Sequence, residues 1–285
     1  MMLRTYAQGA LQSLRLRLRP AASGDLSRVA GPQAERRRIE FVADPQRVAE
    51  FCRVVGEPVG NTVPVTCLHA EAFGASLELM SRPDFPLPLI GMVHLANSVT
   101  QHRPVEVGET VVAEVWIVEL RAHPKGTEVV VTVRFEVAGE MRVEETSTML
   151  AKGITLEGAA PAADARRKDF TPPEAPTQRW RFTGADASAY ARVSGDRNPI
   201  HLSAAAAKAF GFPARIAHGM HTAARALAAA QVRTRPFSWE VEFASPVLLP
   251  GTVSVRMRNL PAETVTEVWS PKKGRPHMFS RIALR

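Results

Sequence analysis

Cysteine is scarce in this chain, with only Cys52 and Cys67 among its 285 residues. Two cysteines are too few for a disulfide framework or a cysteine-based zinc site, and a chain without disulfides suits a reducing compartment such as the cytoplasm. No apolar run approaches the roughly 20 residues that a membrane-spanning helix needs. A glycine-rich phosphate loop leading into a helix is also missing, so no nucleotide cofactor is implied. We therefore expect a cytoplasmic globular protein with no cofactor and no integral membrane segment.

Positive charge is concentrated at the N-terminus. Residues 1–38 hold eight arginines and two acidic residues, so they account for +6 of the net charge of +8. The arginines of residues 15–19 alternate with leucine, whereas a stacking platform for nucleic acid interleaves its cations with aromatic residues. Nucleic acid is therefore not expected as a partner. The basic arm, residues 1–37, suits a cytosolic helix packed on the body, a transit peptide for an organelle, or a contact with anionic lipid.

Three short strings of the first half recur in the second half. Residues 53–57, RVVGE, match residues 192–196, RVSGD, at an offset of 139, which also places Phe51 opposite Tyr190. Further on, LIGMVH matches IAHGMH at its Gly-Met pair, and RPVEVGETV matches SPVLLPGTV. Three matches in the same order predict an internal duplication.

The duplicated halves differ where reactive residues are concerned. At the offset of 139, Glu57 stands opposite an aspartate, Val59 opposite an asparagine, and Thr62 opposite His201. The first half is therefore predicted to keep the shape and to lack a proton-transfer pair. The interval from the first glycine to the Gly-Met pair is 35 residues in the first half and 24 in the second, which predicts about eleven extra residues there in the first half.

The coarse order of elements is the same in both halves and indicates an α+β fold. A short strand leads into a helix, a second apolar helix follows, and several alternating strands come last. Residues 157–176, rich in alanine and proline without an apolar period, are predicted to be a linker. The resulting domains are the basic arm 1–37, a degenerate N-terminal half 38–156, the linker, and a C-terminal half 177–285.

The segment Tyr190–His201, YARVSGDRNPIH, carries the most specific chemical signal. Gly195 suits the end of a helix, and Asn198 precedes a proline, which disfavours helical backbone. A helix is therefore predicted to end near Gly195, and in the loop beyond it Asp196 and His201 can face one small space and move protons through a bound water. The same residues also suit a purely structural turn.

Taken whole, this segment resembles the signature of the (R)-specific enoyl-CoA hydratases, the MaoC-like family. The matching positions are Tyr190, Ser194, Gly195, Asp196, Asn198, Pro199 and His201. The resemblance implies a double hotdog fold, in which two curled antiparallel sheets each wrap a central helix and the two halves imitate a dimer within one chain. It also implies reversible hydration of a trans-2-enoyl thioester, carried on CoA or an acyl-carrier protein, to a (3R)-3-hydroxyacyl thioester. A further homodimer is left open.

The resemblance also assigns roles to individual residues. Asp196 and His201 become the acid–base pair, and Gly219, at the start of a predicted helix, supplies a backbone N–H to the developing oxyanion. Asn198 orients Asp196 or fixes the loop. The orienting positions behind the pair are Tyr190, Ser194 and Asn198.

Other polar residues near the motif receive weaker assignments. His218 and His221 are expected to be structural hydrogen-bonding residues, and without a carboxylate on the same helix their spacing predicts no metal site. Four basic residues are candidates for the phosphates of CoA or for an acidic carrier protein, or else are solvated surface charge. They are Arg197, Lys272, Lys273 and Arg275.

Two other functions remain open from the sequence. A hotdog thioesterase would be supported by a carboxylate on the second apolar helix, but residues 219–231 contain no acidic residue. A non-catalytic acyl-binding protein becomes attractive if Asp196 and His201 lie buried apart from each other.

Overall fold

A computed structural model of the protein describes residue 13, residues 26–161 and residues 169–285. Most of the predicted basic arm and residues 162–168 of the predicted linker therefore lie outside the described residues. Within the arm, the Ser13 hydroxyl accepts a hydrogen bond from the Ile90 N–H at 3.0 Å. A single 3₁₀ turn at Leu26–Arg28 precedes the first strand, which begins at Arg36, inside the predicted arm.

Ten strands and six helices build the described chain. The strands of the first half are β1 (Arg36–Val42), β2 (Val93–Gln101), β3 (Thr110–His123), β4 (Gly126–Val137) and β5 (Glu140–Lys152). Those of the second half are β6 (Gln178–Phe182), β7 (Phe237–Phe243), β8 (Gly251–Asn259), β9 (Glu263–Trp269) and β10 (Pro276–Leu284). The helices are α1 (Pro45–Val55), α2 (Val65–Met80), α3 (Gly184–Ser194), α4 (Pro199–Leu202), α5 (Ala204–Ala209) and α6 (Gly219–Ala230).

All ten strands form one antiparallel sheet in the order β1-β3-β4-β5-β2-β7-β10-β9-β8-β6. The first five positions belong to the first half and the last five to the second half, in mirrored order. The halves meet where β2 pairs with β7, with Val99 opposite Trp239. The predicted α+β fold class is confirmed, and the mirrored order places the two halves about an approximate twofold axis between β2 and β7.

Helices α1 and α3 are the best preserved part of the duplication. Asp44 caps α1 by accepting from a backbone N–H, and Thr183, 139 residues later, caps α3 within a reciprocal capping box. Each helix ends at a glycine in left-handed conformation, with φ of 75° at Gly56 and 74° at Gly195. Such a backbone favours glycine because it has no Cβ to clash. The helix end predicted near Gly195 is therefore confirmed.

The two longer apolar helices, α2 and α6, lie in the interior of the halves. Ala223, Ala224 and Ala226 of α6 are buried, which fits a helix gripped closely on several sides. Helix α2 packs against β1, β3 and β4, and α6 packs against β10. Each half thus has its own helix against its own strands. Among the described residues, no helix is long and apolar enough to cross a membrane.

The predicted match between the two Gly-Met pairs is wrong. Gly219 is the first residue of α6, whereas Gly91 lies in a turn just before β2. Backbone hydrogen bonds give the true equivalence, because the Val63 N–H donates to the Val105 carbonyl at 2.8 Å and the Ala217 N–H donates to the Val247 carbonyl at 2.9 Å. These acceptors belong to the matching RPVEVGETV and SPVLLPGTV strings, so the residues before α2 correspond to the residues before α6.

This equivalence moves the extra residues to the second half. Seven positions separate Gly56 from Val63, whereas 22 separate Gly195 from Ala217. Thr62, which bridges to Glu106, therefore corresponds to Ile216, which bridges to Leu248, and not to His201. The additional segment of the second half forms α4 and α5. The first half instead has a longer connection after its central helix, residues 81–92 against residues 231–236.

Candidate active site

The loop after α3 is fixed by side chains of the motif. The Ser194 hydroxyl donates to the Tyr190 carbonyl at 2.7 Å and accepts from the Asp196 N–H at 3.2 Å. The Asp196 Oδ1 in turn accepts from the Asn198 N–H at 3.0 Å. Because Ser194 spans the helix end, the chain turns sharply at Gly195 and holds the aspartate against the next segment.

Asn198 starts the short helix that carries the motif histidine. Its side-chain oxygen accepts from the Ile200 N–H at 3.4 Å, and Pro199 occupies the first helical position, where its missing N–H costs nothing. His201 lies within the same turn of α4 and is buried. The Asn-Pro pair therefore turns the chain back toward Asp196 rather than merely ending a loop.

His201 faces Asp196 with a defined nitrogen. Its Nδ1 lies 2.9 Å from the Ile216 carbonyl oxygen, and a carbonyl can only accept, so Nδ1 carries the proton. The other nitrogen, Nε2, is 3.8 Å from the Asp196 Oδ2. Burial lowers the pKa of His201, although the Asp196 charge opposes the shift. At neutral pH its Nε2 is thus an unprotonated base directed at the carboxylate.

His218 is the residue that sequence reasoning left outside the site. It is 2% exposed, its ring stacks on His201 with centroids 3.8 Å apart, and its Nε2 donates to the Asp196 carbonyl at 3.0 Å. Burial and the neighbouring His201 lower the pKa of His218 to about 3. His218 is therefore a neutral side chain that packs against His201 and fixes the Asp196 backbone. The sequence feature that could have placed His218 in the site is its position directly before Gly219.

Tyr190 and His221 form a layer behind these groups. Their rings stack with centroids 4.8 Å apart, and His221 Nε2 lies 3.3 Å from the Val54 carbonyl of α1. The Tyr190 hydroxyl is buried and has no hydrogen-bond partner among the described residues. Burial, helped by the Asp196 charge, raises the pKa of Tyr190. Through its contact with the Val54 carbonyl, His221 connects the second half to the first.

Gly219 is the first residue of α6 and directly follows His218. The first N–H groups of a helix have no partner within it, and the helix dipole makes this end favourable for negative charge. A Cβ at Gly219 would lie 3.1 to 3.3 Å from ring atoms of Phe243. Glycine therefore allows that aromatic ring to approach the start of the helix closely.

The four basic candidates lie at the surface. Arg197 is exposed in the loop between α3 and α4, and Lys272, Lys273 and Arg275 are exposed in the turn between β9 and β10. That turn lies at the Gly219 end of the sheet, because Phe243 pairs with Met278 near the start of β10. The turn therefore lies on the same side of the second half as the start of α6.

The acid of the first half has a different partner. The Glu57 side chain is 7% exposed, and its Oε1 lies 3.5 Å from Arg233 Nε. Arg233 also donates to the Pro58 carbonyl at 2.9 Å. Burial raises the pKa of Glu57 while the arginine charge opposes the rise. A Cβ at Gly60 would meet Arg233 Nη2 at 2.5 Å. The arginine, which belongs to the second half, therefore occupies the space beside Glu57.

Metal binding was not predicted here, yet three side chains converge. Ligand atoms of Asp196, His201 and His218 all lie within 4.8 Å of one another. The nitrogen of His218 nearest the carboxylate is its Nε2, which donates to a carbonyl. A nitrogen that carries a proton cannot bind a metal ion, so a cation would have to displace this hydrogen bond. The donor set therefore fits proton transfer better than coordination.

Comparisons with known proteins identify the family of the chain. A family profile described as a MaoC like domain matches residues 168–272. The chain is 35% identical over 244 residues to 3-hydroxyacyl-thioester dehydratase X of Mycobacterium tuberculosis, and the match covers 85% of this chain and 86% of that protein. The crystal structure of HtdX from Mycobacterium tuberculosis has a TM-score of 0.78 at 32% identity, over 88% of this chain and 100% of that one.

The fold has its own support among solved structures. Another Mycobacterium tuberculosis protein, described as having a double hotdog fold, has a TM-score of 0.55 at 17% identity, over 90% of this chain and 99% of that one. The double hotdog prediction is therefore confirmed. With a relative of 35% identity across most of both lengths, the chain belongs to the MaoC-like family of dehydratases, which are hydro-lyases.

Proposed function

We propose that the protein catalyses the reversible hydration of trans-2-enoyl thioesters to (3R)-3-hydroxyacyl thioesters. The observation that carries this proposal is the approach of His201 Nε2 on α4 to Asp196 Oδ2 in the preceding loop, 3.8 Å apart and beside the start of α6. This gap is wider than a hydrogen bond, so it leaves room for a water to contact both groups. The relative from Mycobacterium tuberculosis is named for dehydratase activity on a 3-hydroxyacyl thioester, which is the same reaction in reverse.

Asp196 and His201 are the proton-transfer pair in this proposal. The oxygen of water bonds to C3, the proton that it loses passes through the pair to C2, and the C2=C3 double bond becomes single. His201 suits this task because its Nδ1 proton is held by the Ile216 carbonyl, which leaves Nε2 as a base. Asn198 and Ser194 position the aspartate by binding its carboxylate and its loop backbone.

Gly219 supplies the oxyanion donor. Addition at C3 moves negative charge onto the thioester oxygen, and donors aimed at that oxygen lower the barrier. The Gly219 N–H opens α6 immediately after His218, whose ring touches His201. The helix dipole adds to this stabilisation because its positive end faces the developing charge.

The first half binds the acyl chain and performs no chemistry. Glu57 is engaged by Arg233, and the segment corresponding to α4, which would bring a histidine to it, is not present between Gly56 and Val63. The thioester carrier is CoA or an acyl-carrier protein, with Lys272, Lys273 and Arg275 as candidates for its charged groups. These cations are exposed on the Gly219 side of the sheet.

The deciding assay follows the ultraviolet absorbance of the conjugated enoyl thioester, with CoA and carrier-protein substrates side by side. Hydration removes this absorbance and leaves the thioester intact. Release of free thiol without hydration would instead indicate a thioesterase, and substrate binding without either reaction would indicate an acyl-binding protein. Helix α6 carries no acidic residue that could serve a thioesterase, so we expect hydration.

A further inference from the structure

A second buried polar group lies in the first half, apart from the acid–base pair. We call it the first-half polar cluster, and its members are His69, His94, Asn97, Glu145 and Ser147. Glu145 Oε1 is the centre, since it lies 2.5 Å from His69 Nδ1 and accepts from the Asn97 amide at 2.5 Å and from the Ser147 hydroxyl at 3.3 Å. Helix α2 supplies one member, and strands β2 and β5 supply the rest.

The central pair of this cluster is ionic. Burial opposes the charged form of His69, but the Glu145 carboxylate and its hydrogen bond outweigh that effect and raise the pKa of His69. Burial would likewise raise the pKa of Glu145, but His69 and the Asn97 amide lower it. Burial and the charge of His69 lower the pKa of His94 to about 4. The shifts therefore favour an imidazolium at His69 beside a carboxylate at Glu145, and a neutral imidazole at His94.

Three polar atoms of the cluster are left over. Glu145 Oε2, Asn97 Oδ1 and His94 Nε2 are buried, and none has a hydrogen-bond partner among the described residues. Glu145 and Asn97 are only 1% and 2% exposed. The two oxygens can only accept hydrogen bonds, and a buried acceptor without a partner is costly. The cluster therefore lacks a donor.

The cluster faces the proposed reaction site rather than the solvent. The His94 ring lies 5.3 Å from the ring of Phe243, and Phe243 is the ring that closes on Gly219. Burial and the cluster's own charges dominate the pKa values of His69 and His94, and the Asp196 carboxylate of the second half adds an upward contribution to both. One aromatic ring thus separates the cluster from the oxyanion position.

The fold itself does not require these polar residues. In the first half Asn97 pairs across the strands with Ser147 and bonds diagonally to Glu145, whereas in the second half Trp239 pairs with Ile282 and bonds diagonally to Ser280 at 2.8 Å. The second half therefore holds a tryptophan, a serine and an isoleucine in the same strand relationship. A buried ion pair is weak evidence for stability, which leaves recognition as the better explanation.

We propose that the first-half polar cluster is an acceptor site for a hydroxyl group carried by the acyl chain beyond C3, and so a determinant of substrate specificity. A hydroxyl supplies the missing donor and is neutral, so it does not disturb the ion pair. The inference rests on the proposed function, because the ligand is taken to be its thioester substrate. A site built to bond a hydroxyl discriminates against the analogue that lacks it, because its polar groups then stay unpaired.

The test measures binding separately from turnover. Calorimetry compares saturated acyl-CoA thioesters of one chain length, one unsubstituted and the others with a single hydroxyl at successive carbons beyond C3. The expected result is that one hydroxylated ligand binds about 10- to 100-fold more tightly than the unsubstituted one. Glu145→Gln keeps the size of the side chain but removes the charge, and should reduce this preference to within about threefold.

Two further variants make the result decisive. Asn97→Leu keeps Glu145 itself but removes a second unpartnered acceptor, together with the amide that donates to Glu145 Oε1. It should also reduce the preference, which provides a second test should Glu145→Gln fold poorly. Glu128→Gln changes another buried glutamate, 3% exposed on β4 and paired with Arg121, and should retain the preference. Equal affinities in the parent, as when ordered water satisfies the acceptors, would overturn the inference, as would a preference that survives both cluster variants.

Enoyl hydration is followed in parallel so that the two proposals can fail separately. A parent that hydrates enoyl-CoA but binds both kinds of saturated ligand equally refutes the acceptor site alone. A parent with the binding preference and no hydration refutes the proposed function and supports the acceptor site.

Discussion

The first and second halves of this chain share their helix ends and differ in the segments beyond those ends. Both α1 and α3 stop at a left-handed glycine that precedes an acid, Glu57 or Asp196. In the second half two short helices follow, and the first of them brings His201 back to the acid. In the first half the chain passes directly to the central helix, and the acid contacts Arg233 of the second half instead. An acid in the same place thus faces a histidine in one half and an arginine in the other, and we propose that only the first arrangement is reactive.

The central helices also differ, but here it is the helix of the first half that carries a polar residue into a buried cluster. Helix α6 is alanine-rich and begins at the glycine beside the proposed reaction site. Helix α2 begins at Val65 and carries His69 into an interior cluster with Glu145. Polar chemistry is therefore placed in the loop of one half and against the sheet of the other, and the two positions meet around Phe243.

The largest expected effect concerns the pair of the second half. Asp196→Asn and His201→Ala should each reduce hydration about 10²- to 10⁴-fold, because each removes a general acid–base group. The two losses should be far from additive, since both groups act on one water. Steady-state turnover of folded variants, with folding checked by circular dichroism, measures this. Near-normal activity in either folded variant would refute the assignment of the pair.

Arg233, which pairs with Glu57 of the first half, is expected to stabilise the fold. Arg233→Ala removes the cation from buried Glu57 and the donor from the Pro58 carbonyl, and we expect the free energy of unfolding to fall by about 3 kcal/mol. Urea denaturation measures the change. Arg235→Ala, at an exposed arginine two residues later, is the matched control and should change stability little. Equal effects of the two variants would show that the Glu57 contact is unimportant.

A histidine that joins the halves should make folding sensitive to acid. Burial lowers the pKa of His221 from 6.5 to about 4, so between these values the unfolded chain binds the proton that the folded chain refuses. Stability from this group is therefore complete above pH 6.5 and is lost as the pH falls toward 4. His221→Gln should reduce the loss between pH 7 and pH 5 by about 2 kcal/mol.

Exposed His102 provides the control for that experiment. His102→Gln measures the effect of removing an exposed histidine, against which the change in His221→Gln is compared. Should His221→Gln give the same slope as the parent, burial of His221 would not be the source of the acid sensitivity.

The smallest expected effect is on turnover when the first-half acid is neutralised. Glu57→Gln keeps the shape of a side chain that contacts Arg233 and no reacting group, so turnover should remain within a few-fold of the parent. Initial rates beside those of Asp196→Asn test this directly. A collapse comparable to the Asp196 variant would reveal a second reactive site in the first half.

Local sequence features gave the most reliable predictions. The end of α3 at Gly195 follows from glycine's freedom in the left-handed region, and the Ser-Gly-Asp and Asn-Pro groups act through hydrogen bonds spanning two to four residues. The α+β class follows from hydrophobic periodicity, which is also local. The repeat at the ends of α1 and α3 was visible because Gly56 and Gly195 close the two helices at the same offset of 139 residues.

Register between distant segments was decided only by the tertiary structure. The letters Gly-Met recur at residues 91 and 219, but strand pairing places the first in a turn and the second at a helix start. The stacking of His218 on His201 and the meeting of His69 with Glu145 join residues 17 and 76 positions apart. Such contacts depend on how the sheet aligns its strands and on the length of the inserted α4–α5 segment. No single stretch of sequence encodes that alignment, because it is set by the combined burial of both halves.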